Sequence, residues 1–85
     1  MKIYRTRTQS DYDALMIDFE EKEYKWLSGD KPTFKNYWNE EKEDTCITIL
    51  GKDITFDSIE WNKKEYPDIP IIDYKANGEN NDNLS

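Results

Sequence analysis

Thr45-Cys46-Ile47-Thr48-Ile49-Leu50-Gly51-Lys52-Asp53-Ile54-Thr55-Phe56 is the stretch that decides the fold. Thr and Ile crowd both halves, and branching at Cβ favours an extended backbone. Gly51-Lys52-Asp53 is a tight-turn signal between them. Thr45 to Leu50 therefore reads as one strand and Ile54-Thr55-Phe56 as the start of its antiparallel return. Ser58 to Trp61 extends that return, with Ile59 and Trp61 on one face. Asn62 to Ile69 reads as a loop containing Pro67. Pro70 then opens a last strand, Ile71 to Lys75, where a proline at the first position is tolerated. Cys46, the single cysteine, lies in the apolar strand pattern and reads as a small buried hydrophobe.

Working back from the hairpin, Glu40-Glu41-Lys42-Glu43-Asp44 reads as an exposed charged loop. The segment before it, from Tyr24, is punctuated by Gly29 and Pro32. Trp26, Phe34, Tyr37 and Trp38 make it too aromatic for a solvated linker, so it should pack on the domain. Earlier still, Tyr12, Leu15, Met16 and Phe19 recur at the i, i+3, i+4, i+7 spacing of one helical face. Ser10 is a fitting N-cap, with Asp13 as its capping-box partner. The pattern predicts a helix over Asp11 to Glu23, its stripe serving as core. Lys2 to Thr8 predicts a first strand, with Tyr4, Thr6 and Thr8 on one face and Ile3, Arg5 and Arg7 on the other. The element order is β-α-β-β-β. The expected class is α+β, with one helix packed on a small, mainly antiparallel four-stranded sheet. Residues 1–75 form the expected domain. Residues 76–85, rich in Asn and acidic groups, read as a disordered tail.

An 85-residue chain has room for one domain. Its 12 Lys and Arg against 19 Asp and Glu leave a net charge of -7. That field repels nucleic acid and anionic membranes, so neither is an expected direct partner. Basic protein surfaces are favoured, although the same charge also serves plain solubility. The chain has no histidine, which removes Ser-His and Cys-His nucleophilic sites and most zinc sites. Gly29, Gly51 and Gly78 are isolated, so no phosphate-binding glycine motif exists. The carboxylate runs lack EF-hand spacing. No enzyme activity, cofactor or metal is expected.

Two surfaces remain as candidates. Asp18, Glu20, Glu21 and Glu23 on the helix, with Glu40, Glu41, Glu43 and Asp44, form an acidic set able to imitate phosphates in a basic groove. Lys22, Lys25, Lys31, Lys35 and Lys42 dilute its field. The alternative is a small-nucleotide pocket. There Trp26, Tyr37 and Trp38 would stack on a base, while Lys25, Ser28, Gly29 and Lys31 would meet phosphates. Against that pocket stands a purely architectural role, with Trp26 sealing the helix end and Gly29 making a left-handed turn.

The stretches Ser10-Asp11-Tyr12-Asp13-Ala14-Leu15 and Tyr24-Lys25-Trp26-Leu27-Ser28-Gly29-Asp30-Lys31-Pro32-Thr33 resemble a group of short uncharacterised proteins of phages and prophages of Gram-positive bacteria. The likeness runs on through Trp38, Thr45-Cys46-Ile47, Ile54-Thr55-Phe56 and Ile71-Ile72-Asp73-Tyr74. It covers most of residues 1–75 and brings no catalytic residues with it. What it implies is context: a viral protein in the cytoplasm of an infected bacterium, acting by stoichiometric binding. The leading expectation is an anti-defence inhibitor of a host protein, foremost a defence nuclease, in the manner of an anti-CRISPR protein. The rivals are a sponge for a nucleotide immune signal and an oligomeric structural or regulatory phage protein.

Overall fold

The computed structural model describes residues 1–76. Strand β1 spans Lys2–Thr6, helix α1 Gln9–Glu21 and strand β2 Lys25–Trp26. A 3₁₀ turn at Pro32–Phe34, helix α2 at Trp38–Glu41 and a second 3₁₀ turn at Lys42–Asp44 follow. Strands β3 (Thr45–Leu50) and β4 (Asp53–Ser58), helix α3 (Ile59–Glu65) and strand β5 (Ile71–Asp73) complete the order.

The chain is α+β, but its sheet has five strands in the order β2-β4-β3-β1-β5. The hairpin is present as expected: β3 pairs antiparallel with β4, from Thr45 opposite Ser58 to Leu50 opposite Asp53. β1 pairs antiparallel with the other side of β3. Both edges are parallel additions, β5 against β1 and β2 against β4. The expected four-stranded, mainly antiparallel sheet with one helix is thus corrected, among the described residues, to a mixed five-stranded sheet with three α-helices. The missed strand β2 is two residues long and has no alternating pattern of its own. Pairing defines it, since Lys25 N donates to the carbonyl of Lys52 and Leu27 N to that of Ile54.

The register sorts the side chains into two layers. Tyr4, Ile47, Ile49, Ile54, Phe56 and Trp26 pack with Tyr12, Leu15, Met16 and Phe19 of α1. Those four helix residues are each 1% exposed. Burying side chains of this size contributes roughly 1.5–3 kcal/mol apiece, more than any cap. Ile3, Cys46 and Thr48 face the other way and are also buried. Short α3 lies over that side. Its Asn62, fully buried, accepts from Thr48 Oγ1 at 3.0 Å and donates to the Ser58 carbonyl at 2.9 Å.

Helix α3 overturns the reading of Ser58 to Trp61 as strand and of Asn62 to Ile69 as loop. Ser58 is an N-cap, its Oγ accepting from Trp61 N at 3.1 Å. Glu60 in the first turn and Lys63 and Lys64 in the last match the helix dipole. The i, i+2 pair Ile59 and Trp61 imitated a strand. α1 also starts earlier than expected: Thr8, not Ser10, is its N-cap, accepting from Asp11 N at 3.1 Å. Either hydroxyl suits the role, and the short connection from β1 selects the first one. Glu40 to Asp44 is exposed but is wound into α2 and the following 3₁₀ turn rather than an open loop. The first and last strands are shorter than expected, ending at Thr6 and Asp73. The expected tail lies outside the described residues except for Ala76, whose N–H donates to buried Asp11 Oδ1 at 2.9 Å.

Asn62→Ala strands the Thr48 hydroxyl in the interior and should cost about 2 kcal/mol in urea unfolding. An unchanged midpoint would show that α3 is not held by this bond. A pH scan gives a second test. Burial pushes the Cys46 thiol up to about 11 and the Tyr12 phenol up to about 12. Both groups then ionise in the unfolded chain before they do in the native one. The contribution of these two groups should be constant from neutral pH to about pH 9, and stability should fall between there and about pH 12. At pH 8, Cys46 should react with a thiol reagent only after denaturation.

Candidate functional site

The C-terminal end of α1 sets the geometry of the surface. Tyr24 N donates to the Phe19 carbonyl at 2.9 Å and Glu23 N to that of Glu20 at 3.1 Å. This is a Schellman closure, completed by the Tyr24 ring packing on Phe19 with centroids 5.2 Å apart. Its left-handed position holds Glu23, at φ 64°, where glycine is usual. Tyr24 rather than Trp26 therefore seals the helix end.

The structure does not gather the eight expected carboxylates. Glu20, Glu21 and Glu23 stand beside the β3–β4 turn, where Lys52 Nζ donates to the Lys22 carbonyl. Glu40 to Asp44 precede β3 at the other end of the sheet. There Arg5 donates to the Glu43 carbonyl and pairs with Asp44 at 3.1 Å. The length of α1, about 20 Å for its 13 residues, separates the two groups. Some of these acids are already engaged. Asp18 pairs with Lys22 at 3.1 Å. Glu20 accepts from Thr33 Oγ1 at 2.6 Å and from Thr33 N at 3.4 Å, and these bonds hold its carboxyl below the usual range. Glu21, Glu23, Glu40 and Glu41 are exposed.

The Trp26 set is divided as well. Trp26 is 4% exposed, with Nε1 donating to the Pro32 carbonyl at 3.2 Å. Tyr37 stands edge-on to it at 4.7 Å and stacks on Phe56 at 4.0 Å. Gly29 takes φ +95°, a left-handed turn as the architectural reading expects, and its N–H donates to the Trp26 carbonyl. Ser28 Oγ donates to Asp30. Trp26, Ser28 and Tyr37 border a recess of about 210 Å³. Lys25 and Lys31 line a different one with Glu20 and Glu23. Trp38 lines neither, and its Nε1 donates to the Thr6 carbonyl.

Two exposed residues stand out: Ile17, which sequence reasoning passed over, and Phe34, which it places among the packing aromatics. Phe34 is 70% exposed and Ile17 is 55% exposed. Between α1 and residues 33–36 runs a recess of about 250 Å³, with Ile17, Asp13 and Met16 on one side and Thr33, Lys35 and Asn36 on the other. Phe34 rises from the turn that forms the second side. That turn is pinned by the Glu20–Thr33 bonds, by Tyr12 Oη donating to the Lys35 carbonyl and by the paired amides of Gln9 and Asn36. The available signal was Ile17 itself, an apolar residue off the buried stripe. Among the described residues, no group of three or more Cys, Asp or Glu could hold a metal ion. No helix of the described residues is long and apolar enough to cross a membrane.

Glu23→Gly removes the left-handed penalty and should raise unfolding stability by about 0.5–1 kcal/mol. A loss of stability would mean that the Glu23 side chain supports the fold. No protein-family model matches the chain, and searches of curated proteins and solved structures return no match.

Proposed function

We propose that the chain is a stoichiometric protein-binding inhibitor acting on a basic host protein, foremost a defence nuclease of an infected bacterium, in the manner of an anti-CRISPR protein. The observation that carries this reading is Phe34, a large aromatic 70% exposed on a turn whose backbone is pinned to α1. An exposed aromatic on a fixed support loses little freedom on docking, which is how interface anchors gain their energy. Ile17 and Asp13 lie across the recess, and Glu20, Glu21 and Glu23 add acidic groups at the C-terminal end of α1. With a net charge of -7, long-range attraction favours a basic partner. In this reading the acids at Glu40 to Asp44 are a second, outlying contact. The retained strain at Glu23 also fits, because it keeps a carboxylate where glycine would serve the fold better.

Tagged protein incubated with lysate of a Gram-positive host should retain a basic, nucleic-acid-binding protein and release it as salt is raised. Phe34→Ala should weaken that complex by at least about 30-fold, the loss expected of a central anchor. Glu21→Lys should mainly slow association. Equal retention by wild type and Phe34→Ala would remove this reading. Concentration-dependent sedimentation that Phe34→Ala abolishes would replace it with self-association.

A further inference from the structure

A recess lies on the face of the sheet away from α1. It is an open cleft of about 530 Å³ between α3, the Tyr66–Ile69 turn and the β1–β5 edge. Its volume is in the range of small-molecule sites, roughly 300–1,000 Å³. Arg5, Arg7 and Lys63 line it with a single carboxylate, Asp73, so cations outnumber acids in a chain where acids otherwise prevail. Ile59, Ile69, Ile71 and Pro67 give it apolar walls. Tyr66 stands at its border, held edge-on against Trp61 at 5.8 Å. The cleft is preformed. Tyr66 N donates to the Asn62 carbonyl at 2.8 Å and Ile69 N to the Tyr66 carbonyl at 3.1 Å.

We propose that this cleft binds a small organic phosphate with a flat, largely apolar body, a nucleoside monophosphate being the simplest form. Arg7 and Lys63 meet the phosphate, and the base lies against Tyr66 and the isoleucine wall. Arg7 now forks onto Asp73 through Nε and Nη2 at 3.2 and 3.3 Å. Both partners are more than 40% exposed, so solvent screens the pair. A phosphate can therefore recruit the guanidinium at little cost. Arg5, whose side chain is 15% exposed, stays bound to Asp44 and the Glu43 carbonyl and contributes field rather than contact. This site lies across the sheet from Phe34 and Ile17, so its fate is independent of the docking surface there.

The test is titration of ¹⁵N-labelled protein with each of the four ribonucleoside 5′-monophosphates, with inorganic phosphate and adenosine run in parallel. At least one nucleotide should give saturable amide shifts at Arg7, Lys63, Tyr66 and Ile71, about tenfold tighter than inorganic phosphate or adenosine. The double variant Arg7→Gln, Lys63→Gln should lose that saturation while keeping the native spectrum elsewhere. If the double variant does not fold, Lys63→Gln alone should still weaken the nucleotide. The proposal is overturned if no nucleotide saturates at millimolar concentration, if inorganic phosphate binds as tightly, or if removing Lys63 changes nothing.

Discussion

Covering β3 on both faces is the constraint from which the rest of the molecule follows. Thr45, Cys46, Ile47 and Thr48 are all buried in succession, which an antiparallel strand with one wet face would not allow. One side is closed by the aromatic and aliphatic stripe of α1. The other has only a seven-residue helix available, and it is held partly by a polar device, the Thr48–Asn62–Ser58 chain of bonds. The two covers differ in kind because α3 is only seven residues long against thirteen in α1. A short helix buries little, so a directed bond must fix its place.

Much of this was legible in the residues. The β3–β4 hairpin followed from its β-branched runs and glycine turn, and α1 from its apolar period. Local patterns failed where tertiary partners make the decision. Lys25 and Trp26 are a strand because β4 has a free edge beside them. Ile59 to Glu65 is a helix because Ser58 caps it and Asn62 reaches Thr48. For the surface, the carboxylates were visible as residue types, but their dispersal to opposite ends of α1 depends on strand register. Phe34 was counted among packing aromatics, as aromatics usually should be. Its exposure arises because the 3₁₀ turn around it is fastened through neighbours on both sides, which leaves the ring itself with no place in the core.

The two faces of the sheet divide the chemistry. The α1 side carries an exposed aromatic on a fastened turn, with Lys35 Nζ 5.3 Å from its ring centre, while the α3 side collects cations around an apolar hollow. A net charge alone describes neither face. It averages over a separation that the sheet itself enforces, because Arg5 and Arg7 alternate away from Tyr4 and Thr6 along the first strand and its extension.

The pairing of Ile3 with Ile71 draws together residues from near the two ends of the sequence. Such a ladder cannot form early, because the entropy of closing so long a loop must be met before any of its bonds are made. During synthesis β1 emerges well before β5, so its β5 flank stays bare while the elements between them are made. Local hairpin contacts between β3 and β4 are available sooner. The natural sequence of events is thus a hairpin that recruits β1, with the parallel edge zipped last, and folding slower than in a helical bundle of equal size.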